Sequence, residues 1–192
     1  MLYLIIGLVV FLGIHSVELV SPTFRSNTIA RIGEGPWKGL YSVLSIAGFV
    51  LLVWGYGMAR QQPVVLYSPP VWTRHLAALV MLPVFPLLLA AYLPGRIKAA
   101  VKHPMLAAIK FWALAHLLAN GMLADLLLFG SFLAWAVADR MSMKRRPVRA
   151  VPGAPPAKMN DVIAVVGGLA LYAIFAGWLH VRWIGVSALP PM

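Results

Sequence analysis

Apolar runs long enough to cross a bilayer recur along this chain, each bounded by charge, proline or glycine. A transmembrane helix needs about 20 predominantly apolar residues. Residues 2–20, 39–58, 71–93 and 161–183 meet that length, while 104–119 and 122–138 are shorter and meet at Asn120–Gly121. Pro83 and Pro86 predict a kink in the third run. A soluble core of 192 residues cannot hide a composition that is 61% hydrophobic and 11% charged, with mean hydropathy +0.86; a bilayer can. The expected fold is an all-α integral membrane protein: six transmembrane helices with a short central hairpin from the fourth and fifth, in one domain spanning residues 1–192.

The net charge of +11 would suit nucleic acid if it formed one basic face. Instead it alternates with the apolar runs, so no nucleic-acid partner is expected. Arg25, Arg31 and Lys38 follow the first run, and Arg96, Lys98 and Lys102 follow the third. Arg140, Lys144, Arg145, Arg146, Arg149 and Lys158 follow the fifth, and Lys110 lies near the same end of the fourth. The other side holds Arg60, Arg74 and Arg182. Basic loops stay in the cytoplasm, so both termini are expected outside a membrane that the chain crosses several times. Residues 144–158, rich in proline and positive charge, read as a flexible surface linker. The first run lacks a cationic start and a small-residue cleavage site, which predicts a retained helix rather than a signal peptide.

Ionisable groups inside a membrane are costly and mark functional sites by default. His15 lies about a turn from the basic end of the first run, and His103 sits at the basic start of the fourth. At similar depth, these two histidines are placed to face each other. Glu18, three residues after His15, shares its helix face and is placed to hold the imidazole tautomer or neutralise a cation. His116 is nearly four turns from His103, about 20 Å along one helix and on almost the opposite face, which argues against a shared small ligand. Trp112, His116 and Asn120 form an i, i+4, i+8 stripe, and Asp125 stands as far beyond the turn as His116 stands before it. Two readings remain for His116: interhelical hydrogen bonding to Asp125, or an oriented imidazole that ligates a metal or moves a proton. His75 and His180 read as interfacial anchors. The chain has no cysteine, which excludes disulfides and thiolate sites. Phosphate-binding, zinc-protease, serine-hydrolase and calcium-loop motifs are all missing.

F-L-G-I-H-S at residues 11–16 followed by S-P-T-F-R, K-H-P-M at 102–105 and W-A-L-A-H-L-L-A-N-G at 112–121 resemble the signatures of the NnrU family of bacterial membrane proteins along essentially the whole chain. That resemblance implies a link to nitrite and nitric oxide metabolism in denitrification, and nitric oxide reductase components as partners. A plant and cyanobacterial relative, zeta-carotene isomerase, is a haem b membrane enzyme that isomerises a cis double bond in a lipophilic polyene. Its histidine ligation implies haem b here, with His15 and His103 on the iron, Glu18 beside them, and His116 as the competing second ligand. The relative's ligand-switching cysteine has no counterpart in this chain. The basic-His-Pro segment, hairpin and D-R pair also look like the C-terminal half of the isoprenylcysteine carboxyl methyltransferases, implying S-adenosylmethionine near Lys102 and His103. Here, however, Met105-Leu106-Ala107 replaces that family's aromatic and glycine, and Lys144-Arg145-Arg146 replaces its paired glutamates. A third reading is a non-catalytic assembly or regulatory factor for nitric oxide reductase. Membrane lipids are partners in every case.

Overall fold

A computed structural model of the protein describes residues 1–146 and 152–189. They form two compact units, each assembled from two stretches of chain: residues 1–66 with 122–146, and residues 67–121 with 152–189.

In the first unit, α1 (Leu2–His15) ends where its own side chains turn back. His15 Nδ1 donates to the Phe11 carbonyl at 2.6 Å and Ser16 Oγ to the Leu12 carbonyl at 2.6 Å. Such local bonds compete with helix propagation. A single turn, α2 (Val17–Val20), follows, and then Ser21 is extended ahead of Pro22. The residue before a proline avoids helical geometry, and proline suits the first helical position, so α3 (Pro22–Ile32) restarts there. Gly33, with φ +87°, closes it. α4 (Glu34–Gln61) returns antiparallel to α1, and α9 (Leu123–Ser142) packs on both.

The α1–α4 crossing is close because glycines alternate with larger residues along it. An added Cβ at Gly7 or Gly55 would meet the backbones of Leu52 and Leu4, and one at Gly48 would lie 2.8 Å from the Phe11 nitrogen. Leu4–Gly55, Gly7–Leu52 and Phe11–Gly48 step in opposite directions at one register. Bilayer helices gain no hydrophobic drive from each other, so small residues that permit backbone approach supply the packing.

The second unit contains α5 (Val71–Met81), α6 (Val84–Tyr92), α7 (Arg96–Val101), α8 (Pro104–Ala119) and α10 (Asn160–Ile174). A π-helical turn (Phe175–Leu179) and α11 (His180–Ile184) complete it. The kink predicted in the third apolar run falls at Leu82–Pro83, a two-residue interruption between α5 and α6 at which the backbone stays in the right-handed helical region. Restarting there places Pro86 in the first turn of α6, where its missing N–H is one of the orphan donors of a helix start. Val84 and Leu87 of α6 pack with Ala108 of α8, and an added Cβ at Gly168 of α10 would strike Pro86.

Among the described residues, three helices are long and apolar enough to cross a membrane: Glu34–Gln61, Val71–Tyr92 and Asn160–Ile184. Leu2–His15 and Pro104–Ala119 are apolar but shorter, and Leu123–Ser142 carries Asp125, Asp139 and Arg140. The all-helical membrane class is therefore shown, and the expected six spans go beyond it. The turn at Asn120–Gly121 is where the chain passes from one unit to the other, and each arm has packing partners in its own unit. Of residues 144–158, read as a flexible linker, 147–151 lie outside the described residues. The part after them is tied down: the Ala154 amide donates to the Tyr92 carbonyl at 2.9 Å, and Asn160 Nδ2 donates to the carbonyls of Pro94 and Pro155.

Candidate functional site

The basic ends of α1, α4 and α9 enclose a cavity of about 510 Å³ in the first unit. Two of the expected site residues, His15 and Glu18, line it. His15 packs its ring on Phe11, with centroids 4.3 Å apart, and meets Tyr41 and Trp135 edge-on at 5.5 and 6.2 Å. Its Nδ1 faces a carbonyl, which can only accept, so Nδ1 carries the proton. In the neutral ring the lone pair is then on Nε2, the nitrogen left for a metal.

Glu18 belongs to an ion-pair network that no single stretch of sequence displays. Arg146 donates through Nη1 to Glu18 Oε2 at 3.0 Å, through Nη2 to Asp139 Oδ1, and accepts no water-exposed role: its side chain is 11% exposed. Its Nε donates to Ser142 Oγ at 3.0 Å. Arg25 approaches Glu18 more loosely, at 3.6 Å. Charge-assisted, multidentate contacts of this kind fix geometry as well as charge. Asp139 and Ser142 share one face of the end of α9, and Arg146 reaches back to them from the turn just past it. In the sequence Arg146 counts as a cytoplasmic loop charge and as one of the basic residues standing where the methyltransferases have paired glutamates, and Asp139 figures only in the D-R pair. Trp37, Tyr41 and Trp135, which wall the cavity, read there as membrane anchors or went unremarked.

His103 and His116 lie in the second unit. His103 is half-buried in the N-cap position of α8 and makes no side-chain cap bond. It follows a tight turn in which its amide donates to the Val101 carbonyl at 2.8 Å, with Lys102 held at φ +64°. The stripe of α8 is bonded along itself: His116 Nδ1 donates to the Trp112 carbonyl at 2.8 Å, and Asn120 Nδ2 donates to the His116 carbonyl at 2.9 Å. The His116 ring lies 6.5 Å from that of His180, whose Nδ1 donates to the Val186 carbonyl at 2.8 Å. Asp125, assigned from the sequence to His116, is fully buried and serves α9 and α4: Oδ2 accepts from the Met122 amide at 3.0 Å, and Oδ1 from Tyr56 Oη at 2.6 Å.

Among the described residues, no group of three His, Cys, Asp or Glu side chains is arranged to hold a metal ion. A metal centre built on His15 would therefore bring most of its ligands with it, as the iron of a porphyrin does. The cavity volume falls in the range of about 300–1,000 Å³ typical of cofactor sites. Its aromatic walls suit a planar body, and the residues present fit such a group.

Fold and site together define a helical membrane protein with an aromatic-walled, ion-paired cavity at the basic ends of its helices. The family model described as "NnrU protein" matches residues 3–188, and the chain belongs to the NnrU family. No curated protein and no solved structure matches it.

Proposed function

We propose that this NnrU-family membrane protein binds haem b in the cavity at His15, where His15 Nε2 would hold the iron. The observation that carries the reading is the His15 imidazole itself. It lines a cofactor-sized cavity, and its bond to the Phe11 carbonyl puts the lone pair of the neutral ring on Nε2. Haem would supply an iron whose ligand set and oxidation state can change. The chain's own residues orient His15 through Phe11, restrict its ring between Tyr41 and Trp135, and hold the cavity wall through Arg146. The protein would then serve redox sensing linked to nitrite and nitric oxide metabolism, or isomerisation of a lipophilic polyene, in the bacterial inner membrane. The helix ends that form the cavity would face the cytoplasm, with six spans overall.

Purified protein supplied with haem is expected to show a Soret band that shifts on reduction, and His15→Ala to lose it while remaining monodisperse. A featureless spectrum in both oxidation states overturns the reading. The same spectra of His103→Ala and His116→Ala decide which of those residues, if either, is a second ligand. Co-purification of a nitric oxide reductase subunit with a haem-free protein would favour the assembly-factor role.

A further inference from the structure

We infer that the cavity at His15 receives a singly charged oxyanion carried on an apolar body. Trp135 Nε1 is its hydrogen-bond donor, and Arg25 and Lys38 are its compensating charges. The inference rests on the reading of this cavity as a ligand site, and it names the chemistry that the ligand must present there.

Trp135 Nε1 is buried and has no hydrogen-bond partner. A buried donor left unmade is costly, and native proteins leave few of them. An indole only donates, so what completes it must be an acceptor; another cation or an apolar group cannot. The nearby carboxylates are engaged elsewhere. Arg146 binds Asp139 and Glu18, and Arg25 is also drawn to Glu18.

Charge points the same way. Arg25, Lys38 and Arg146 line the cavity against Glu18 and Asp139, an excess of one positive charge. Arg146 is already engaged, with each of its three nitrogens donating to Ser142, Glu18 or Asp139. Arg25 is not: its 3.6 Å approach to Glu18 is longer than a hydrogen bond. Lys38 pairs with Glu34, but that pair is exposed on both sides and holds it weakly. The remaining walls, including Ile14, Val17 and Trp37, are apolar or aromatic. A ligand with one negative charge, acceptor oxygens and an apolar body satisfies all of these groups. A porphyrin side-chain carboxylate and a phospholipid phosphodiester both have that chemistry.

The test uses the full chain in detergent. Metal-free protoporphyrin IX, its dimethyl ester, and phosphatidylglycerol against phosphatidylcholine are titrated into the wild type, Trp135→Phe and Arg25→Gln. Each variant is scored by its affinity ratio to wild type for the same ligand, which cancels partition into micelles. Trp135→Phe and Arg25→Gln are each expected to weaken the free acid roughly tenfold, the scale of a hydrogen bond to a charged group. Arg25→Gln leaves the ester unchanged, and Trp135→Phe weakens it less than the acid, because the ester carbonyl still accepts but carries no charge. Unchanged ester binding by Arg25→Gln also shows that the cavity is intact. If the two variants instead weaken phosphatidylglycerol selectively, while haem and the porphyrins do not bind, the oxyanion site stands with lipid as its source and the haem reading falls. If haem gives its Soret band but the variants affect acid and ester alike, or neither, and phosphatidylglycerol binding is also unaffected, the oxyanion inference falls and the haem reading stands.

Discussion

The glycines of the α1–α4 crossing allow a sharp test of what holds the first unit together. Replacing Gly55 by alanine puts a methyl group into the Leu4 backbone, and Gly7→Ala does the same against Leu52. At Gly48 the approach is 2.8 Å to a backbone nitrogen, about 0.6 Å inside ordinary van der Waals distance. Backbone cannot rotate away as a flexible side chain can, so the helices must separate along the whole seam. A gap of ~0.5–1 Å forfeits a quarter to a half of each dispersion well, and overpacking typically costs about 1–3 kcal/mol. Against this, alanine gains up to about 1 kcal/mol in helix propensity over glycine. The net expectation is a loss of about 1–2 kcal/mol for Gly7→Ala and Gly55→Ala, and somewhat less for Gly48→Ala. Gly13 and Gly57 have nothing within 4 Å of an added Cβ, so the same substitution there should be neutral or stabilising. Thermal unfolding of each variant in one detergent, followed by circular dichroism, measures the series. Equal midpoints for Gly55→Ala and Gly57→Ala would refute close backbone packing as the basis of this crossing.

Three further outcomes follow from single contacts. Tyr56→Phe removes the donor to a fully buried carboxylate oxygen of Asp125. It should cost about 1–2 kcal/mol by thermal unfolding, with part of that recovered when Asp125 is also made apolar. Asp161 Oδ2 and Oδ1 accept from the amides of Arg96 and Ile97 at 2.8 and 3.0 Å; Asp161→Ala should cost about 0.5–2 kcal/mol and raise hydrogen exchange over residues 96–101. Lys102 occupies a positive-φ conformation worth about 1–3 kcal/mol of strain, so Lys102→Gly should raise the melting temperature; a fall would show that the Lys102 side chain contributes more than its backbone costs.

How legible this molecule is in its sequence depends on the range of the interaction concerned. Apolar runs report helices because length and hydropathy are local quantities, and residues 104–119 match α8 at both ends. Helix ends are less legible. α4 extends to Glu34 and Gln61, past the apolar limits, because charged residues continue a helix as readily as apolar ones. α3 and α7 sit in basic segments that carry no membrane-length signal. The division of the chain at Gly121–Met122 has no local signature either, since an Asn-Gly turn looks the same wherever its arms pack. In the site, His15 and Glu18 were readable from one helix face. Trp135, Asp139 and Arg146 come from more than a hundred residues further along, and only folding brings them to the same cavity.

The discontinuous build of the first unit also sets an order of events during synthesis. α1 and α4 are made early, but α9, which supplies Trp135 and Asp139, follows only after α5–α8 of the other unit. At ~5–20 residues per second, the roughly 80 residues from Gln61 to Ser142 take about 4–16 s to emerge. For that interval the nascent chain presents His15 and Glu18 with one wall of their cavity unbuilt. Any ligand that needs the Trp135 wall must therefore load late, after α9 has arrived.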